Sequence, residues 1–269
     1  MIEADSSLPP IIDAHVHIFT RAMPLAPRAW TRPDYEFTAE QLVATFDEHG
    51  VAFGVISAAT LFGDYNDYTL AALSRHRRLR ATVIVQPDTE RATLARIADS
   101  GVVGVRLPLR RLEQLPDLRA APYQRLFRNL ADLHMHVELL AHGADLPAIL
   151  PAIEASGATL VIDHFADPDR HLGTESPGFL AALRSVERGR TFIKLAAAMR
   201  LDRDVARACT RRLLQVAGPE RLLWGSDAPF VGHERRPSYA EALRLFAELV
   251  PDARQRHAIG LTAVREFFF

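Results

Sequence analysis

The sequence predicts an α/β protein, a (β/α)8 TIM barrel forming a single domain over residues 1–269. Short apolar runs alternate with longer amphipathic segments eight times along the chain. The runs are mostly apolar, as expected of parallel strands covered by helices. The length of 269 residues, unbroken by a linker or a shift in composition, matches the roughly 250 residues of one such barrel. An open doubly wound sheet is the competing architecture, but it would not require eight units.

Each element carries its own signal. The first strand is "IIDAHVHIF" (11–19). A proline-rich loop (21–34) leads to a helix over 38–50, where Thr38 and Gln41 form a capping box and Gly50 suits the C-terminal stop. "VAFGVISAA" (51–59) is strand two, followed by a helix over 67–77. "RATVIVQP" (80–87) is strand three, and the helix over 89–101 closes on glycine. "VVGVRLPL" (102–109) is strand four, with its helix at 122–134. "HVELLA" (136–141) is strand five, with a helix over 146–157, and "ATLVIDHF" (158–165) is strand six, with a helix over 176–189. "TFIKLAA" (191–197) and "RLLWGSD" (221–227) are strands seven and eight, separated by a helix over 202–218. From Tyr239 onward the chain reads as one or two helices, ending in the apolar "REFFF" (265–269), which suits docking on the barrel or on a second subunit. The sequence does not reveal the oligomeric state.

Composition narrows the function classes. Lys+Arg 32 against Asp+Glu 33 gives a formal net charge of -1, which argues against a nucleic-acid partner. The local clusters "RHRRLR" (75–80) and "TRRLL" (210–214) lack interleaved aromatics and read as solvated helix faces and ends. No uncharged apolar stretch approaches the roughly 18–20 residues that span a bilayer. "MIEADSSLPP" has no apolar signal-peptide core, so a cytoplasmic protein without membrane partners is expected. The single cysteine, Cys209, excludes an intrachain disulfide and reads as a structural thiol.

Polar groups are costly to bury in a core strand unless they are partnered, so Asp13, His15 and His17 in strand one need a reason. In a barrel of this type, catalytic groups gather at the C-terminal ends of the strands. His15 and His17 lie near the end of strand one, and their i, i+2 spacing turns them to the same side. His164 ends strand six, Asp227 ends strand eight and Arg106 lies late in strand four. His134 and His136 repeat the His-x-His pattern at the entry to strand five, on the opposite face, and read as structural. Imidazoles and a carboxylate at one mouth support two routes to water attack on a carbonyl. They can hold a divalent cation whose bound water is acidified, or His and Arg can polarise the carbonyl while Asp227 activates water directly.

"DAHVHIF" at the first strand, "DHF" at the sixth and "WGSDAPF" at the eighth resemble the amidohydrolase superfamily. More narrowly, they resemble its amidohydrolase-related branch of lactonases and aminocarboxymuconate-semialdehyde-type decarboxylases. The resemblance covers nearly the whole chain. It implies that His15, His17, His164 and Asp227 occupy the family's active-site positions, and that they are the ligands if a metal is bound. "GVVGVRLPLRRL" (101–112) resembles the segment whose arginines bind substrate carboxylates in pyrone dicarboxylate lactonases; Arg106 is the best match, with Arg110 and Arg111 beside it. Arginine suits that task through its planar, bidentate fork.

The chain also departs from the superfamily. Strand four lacks the lysine that bridges two metals, which argues against a binuclear site. Strand five offers Glu138 and, just beyond it, His142 in place of a clear histidine ligand. One divalent ion, zinc by preference, and a metal-free mechanism both stay open.

Lys194 in strand seven and His233 after strand eight are further candidate substrate contacts, with Glu234 beside His233 and Trp30 a candidate wall of the mouth. Asp13 reads as a residue that orients a histidine or caps backbone groups. The glycines of "GVVGV" (101–105) do not form a dinucleotide motif. The expected function is a hydrolase that opens a lactone bearing carboxylate or sugar-acid substituents, acting on a small anionic substrate. The alternatives are a metal-dependent non-oxidative decarboxylase and a barrel that binds a small anion without catalysis.

Overall fold

The computed structural model describes residues 12–234 and 238–268. Eight strands alternate with helices: β1 (Ile12–Val16), α1 (Ala39–His49), β2 (Phe53–Ile56), α2 (Asp67–Arg75), β3 (Leu79–Val83), α3 (Arg91–Asp99), β4 (Val102–Pro108), α4 (Ala121–Asp132), β5 (His136–Leu140), α5 (Leu146–Glu154), β6 (Thr159–Ile162), α6 (Pro177–Glu187), β7 (Thr191–Ala196), α7 (Arg203–Ala217) and β8 (Leu222–Gly225). Two closing helices follow, α8 (Tyr239–Leu249) and α9 (Ala253–Phe268). The strands pair in chain order and every pair is parallel. Helix α1 starts on the expected capping box of Thr38 and Gln41 and stops on Gly50, whose φ of 66° is left-handed. No helix among the described residues is long and apolar enough to cross a membrane.

The barrel closes between β8 and β1, just beyond the end of β8. The Asp227 N–H donates to the His15 carbonyl and the His17 N–H to the Ala228 carbonyl, both at 2.8 Å. The side chain of Asp13 reinforces this seam. Its Oδ1 accepts from the N–H groups of His15 (3.1 Å) and Ser226 (3.0 Å), and its Oδ2 accepts from the Tyr239 hydroxyl at 2.9 Å. Burial pushes the Asp13 carboxyl up to about 6 against these three contacts, which favour the charged form. Asp13 therefore caps backbone groups, one of its two expected roles. Close approach at the seam also requires a glycine, since a Cβ on Gly225 would sit 2.3 Å from the Cβ of His15.

The bottom of the barrel is plugged by the C-terminal helix. Phe267 is buried with Ile12, Ala14, Val55, Val161, Phe192, Leu223 and Ala263. Phe268 packs on Phe53 at 4.8 Å, with the Arg80 guanidinium 4.6 Å from its ring centroid. The apolar tail thus docks on the barrel itself as far as Phe268; Phe269 lies outside the described residues. His136 packs against Phe267 (5.0 Å between centroids), so it belongs to this lower face, away from the mouth. In the basic cluster near 75–80, Arg78 donates to the Ala52 carbonyl (2.8 Å) and pairs with Asp47 (2.5 Å). Cys209 is buried in α7, where burial pushes its thiol up to about 12.

Two substitutions test this framework. Phe267→Ala should lower stability by about 3–5 kcal/mol, the cost of emptying a large buried aromatic site, read as a shifted denaturant midpoint. Gly225→Ala should cost about 1–3 kcal/mol through overpacking; a midpoint equal to that of the parent would refute the tight seam.

Candidate active site

The site forms where the loops following β1, β6, β7 and β8 meet. His15 lies inside β1 and is fully buried, while His17 lies just past the strand. His164 is two residues past the end of β6. It opens a run of four residues with positive φ, His164 (51°), Phe165 (57°), Ala166 (62°) and Asp167 (46°). That backbone cannot continue a parallel ladder, which is why β6 ends earlier than its apolar pattern suggests. Each left-handed non-glycine residue costs roughly 1–2 kcal/mol. The turn is held by an Arg110–Asp167 pair (2.9 Å) and by the Gly143 N–H donating to Asp167 Oδ2 at 3.2 Å. Asp227, at φ 71°, follows β8.

Three histidines surround one carboxylate. Asp227 Oδ1 lies 3.5 Å from His15 Nε2 and 3.4 Å from His17 Nε2, and the His164 ring centroid is 4.8 Å from that of His15. Asp227 Oδ2 accepts from Arg200 Nη2 at 2.6 Å. Burial alone would raise the Asp227 carboxyl, but Arg200 and His17 hold it well below the usual carboxylate range. It is therefore an ionised acceptor at neutral pH. Burial brings His164 down to about 4 despite Asp163 and Asp227, so that its imidazole is neutral.

Beneath these groups lies a layer of four buried charges. Glu138 Oε2 accepts from Lys194 Nζ at 2.6 Å, and Glu138 Oε1 pairs with Arg106 Nε at 2.8 Å. Ser57 Oγ also donates to Glu138 Oε1, and Thr82 Oγ1 to Oε2 (3.2 Å). Arg106 Nη2 donates to Asp163 Oδ2 (2.7 Å) and Nη1 to the Ala58 carbonyl (2.8 Å). Lys194 Nζ reaches His15 Nδ1 at 3.1 Å. Burial and Asp163 push Glu138 up, but Lys194 and Arg106 outweigh them and hold it at about 2.

This arrangement redistributes the candidates read from the sequence. His15, His17, His164 and Asp227 come together. Arg106 lines the mouth, but most of its fork is taken by Asp163, Glu138 and Ala58. Lys194 is enclosed inside the barrel, neither lining the cleft nor reaching outward. The cleft comprises two adjoining cavities of about 780 and 280 Å³ that share Arg110, His164 and Arg200. Arg111 and His233 line the smaller one, where Arg111 lies over the Trp30 ring at 4.4 Å. His142 lines the larger cavity, its Nδ1 3.5 Å from Asp167 Oδ2. Glu234 accepts from the Gly232 N–H (2.8 Å) and the Tyr35 hydroxyl (3.2 Å), a loop-holding role.

Sequence reading missed Asp163, Arg200, Ser57 and Tyr239. Asp163 and Ser57 follow β6 and β2 directly, so the strand-end filter could have found both. Arg200, four residues past β7, and Tyr239, at the start of α8, carry no comparable signal.

The ligand atoms of His15, His164 and Asp227 lie within 4.8 Å of one another, as do those of His15, Glu138 and Asp163, so the site holds a possible metal-binding group. Within it, the Lys194 amine meets His15 Nδ1 at 3.1 Å, and His15 Nε2 is turned toward Asp227 Oδ1 at 3.5 Å.

Known proteins resemble this chain along most of its length. The 4-sulfomuconolactone hydrolase of Hydrogenophaga intermedia is 27% identical over 260 residues, covering 92% of this chain and 84% of the relative. The 2-pyrone-4,6-dicarboxylate hydrolase of Comamonas testosteroni is 29% identical over 239 residues, covering 81% and 76%. A crystal structure of a probable 2-pyrone-4,6-dicarboxylic acid hydrolase from Acinetobacter baumannii, with citric acid bound, superposes with a TM-score of 0.92. It is 30% identical and covers 97% of this chain and 100% of that one. A 2,6-dihydroxybenzoate decarboxylase from Rhizobium shares the fold (TM-score 0.73) at 14% identity, a likeness of fold alone. The amidohydrolase family profile matches residues 12–269, and with this barrel and this cluster at its mouth the chain belongs to the amidohydrolase family, as a hydrolase.

Proposed function

We propose that the protein hydrolyses a lactone carrying anionic substituents, carboxylates above all. The observation that carries this reading is Asp227, an ionised carboxylate between His15 and His17 at 3.5 and 3.4 Å, facing a cleft edged by Arg110, Arg111 and Arg200. The relatives named as hydrolases of a sulfomuconolactone and a pyrone dicarboxylate support the same substrate class.

The lactone ring sits against His164, which lines both cavities, with its anionic groups among the arginines. His164 and the arginine cations polarise the carbonyl oxygen, where negative charge develops during attack. Asp227 Oδ1 takes a proton from water as the water oxygen bonds to the carbonyl carbon. The tetrahedral intermediate then expels the ring oxygen, and the proton held by Asp227 passes to that leaving oxygen. His15 and His17 keep the carboxylate aimed, and Arg200 holds its second oxygen. A rim of cations also raises the local concentration of an anionic substrate.

Asp227→Asn should keep the fold and lower kcat by about 100- to 10,000-fold, the range for losing a general base. A pH-indicator screen over carboxylated lactones measures this, and normal turnover by that variant would overturn the assignment. Arg111→Met should raise KM for a carboxylated lactone by about tenfold, with kcat largely kept, the loss of one charge-assisted contact. The effect should vanish with an uncharged lactone of the same ring.

A further inference from the structure

The two histidines of the His-x-His pair are anchored differently through Nδ1, and a buried lysine makes the difference. His17 turns Nδ1 to the backbone carbonyl of Ser57 at 2.8 Å. A carbonyl only accepts, so Nδ1 of His17 carries a proton, and its Nε2 lies 3.4 Å from Asp227 Oδ1. His15 is wired the other way. Its Nδ1 lies 3.1 Å from Lys194 Nζ, a group with donors only. The proton of His15 is then on Nε2, 3.5 Å from Asp227 Oδ1.

The surroundings leave Lys194 no other orientation. Its amine is fixed by Glu138 Oε2 at 2.6 Å and lies 3.4 Å from Asp163 Oδ1, and the side chain is 1% exposed. The acceptor next to His15 Nδ1 is Asp163 Oδ1 at 3.3 Å, an atom that itself lies 3.4 Å from the Lys194 amine.

We propose that Lys194 is a positioning residue that locks His15 as the Nε2–H tautomer, so that His15 turns an N–H, and not a lone pair, toward the place a metal ion would occupy. A cation bound at the His-x-His pair would need the Nε2 lone pairs of both rings. In this chain the His15 ring would have to exchange tautomer, against its Lys194 contact at 3.1 Å, before it could supply one. The effect on turnover rests on Asp227 being the base, whereas the tautomer does not.

The test is nitrogen NMR of protein labelled with 15N-histidine, with the His15 signals assigned by their absence from His15→Gln. The wild type should show a protonated Nε2 and a bare Nδ1 at His15, and a protonated Nδ1 at His17. A protonated Nδ1 at His15 in the wild type overturns the proposal. In Lys194→Met/Glu138→Gln, which removes one charge of each sign, Asp163 becomes the remaining partner of Nδ1 and the His15 tautomer should invert. Glu138→Gln alone should leave it unchanged. Zinc binding by equilibrium dialysis should strengthen by about tenfold or more in the double variant, and kcat should fall by about 10- to 100-fold with KM little changed, the range for residues that orient site groups.

A folded double variant, checked by circular dichroism, that keeps the Nε2–H tautomer overturns the proposal. If that variant does not fold, the wild-type spectrum decides. Absence of lactonase activity in the wild type would count against the proposed function and leave the tautomer result standing.

Discussion

Four charges inside a barrel that excludes water must neutralise one another, and the active site rests on that constraint. Glu138 and Asp163 face Arg106 and Lys194 at 2.6–3.4 Å, every member buried. Isolated, any one of them would carry a desolvation cost of several kcal/mol. Together they form a polar floor in which Glu138 is met by Ser57 and Thr82 as well as by the cations. Such a floor contributes little net stability compared with a packed apolar core. Its effect is orientation, because each side chain has its partners assigned before a substrate arrives.

The groups above the floor are held by backbone in costly conformations. His164 and Asp227 both have positive φ, a state that persists only where the surroundings over-determine it. For His164 the Asp167 anchors supply that restraint, and for Asp227 it is the seam to β1 through the His15 carbonyl. The same seam joins the base to the two histidines that flank it. Stability and catalysis thus share one structural element, since the bonds that shut the barrel also set the geometry of the site.

Much of the fold was legible in the sequence. The barrel count, the capping box of α1 and the strand positions followed from periodicity and stop signals, which act over a few residues. The site was legible in part. His15, His17, His164 and Asp227 could be grouped because strand direction says which end of each strand reaches the mouth, and the same rule set aside His136. Strand ends were less clear at β6, where an apolar pattern runs on into a turn whose handedness the residue types do not reveal.

By itself the sequence determined the eightfold alternation of strands and helices, and the set of imidazole and carboxylate groups that the strands deliver to one end. Only the tertiary structure decided how those groups are used. It turned Lys194 inward to Glu138, engaged most of the Arg106 fork below the cleft and placed Arg200 on Asp227. It also docked the phenylalanines of the tail under the barrel. The physical reason is that periodicity reports which face of an element is buried, whereas the pairing of buried charges depends on distances between residues far apart in the chain, such as the 56 positions separating Glu138 from Lys194.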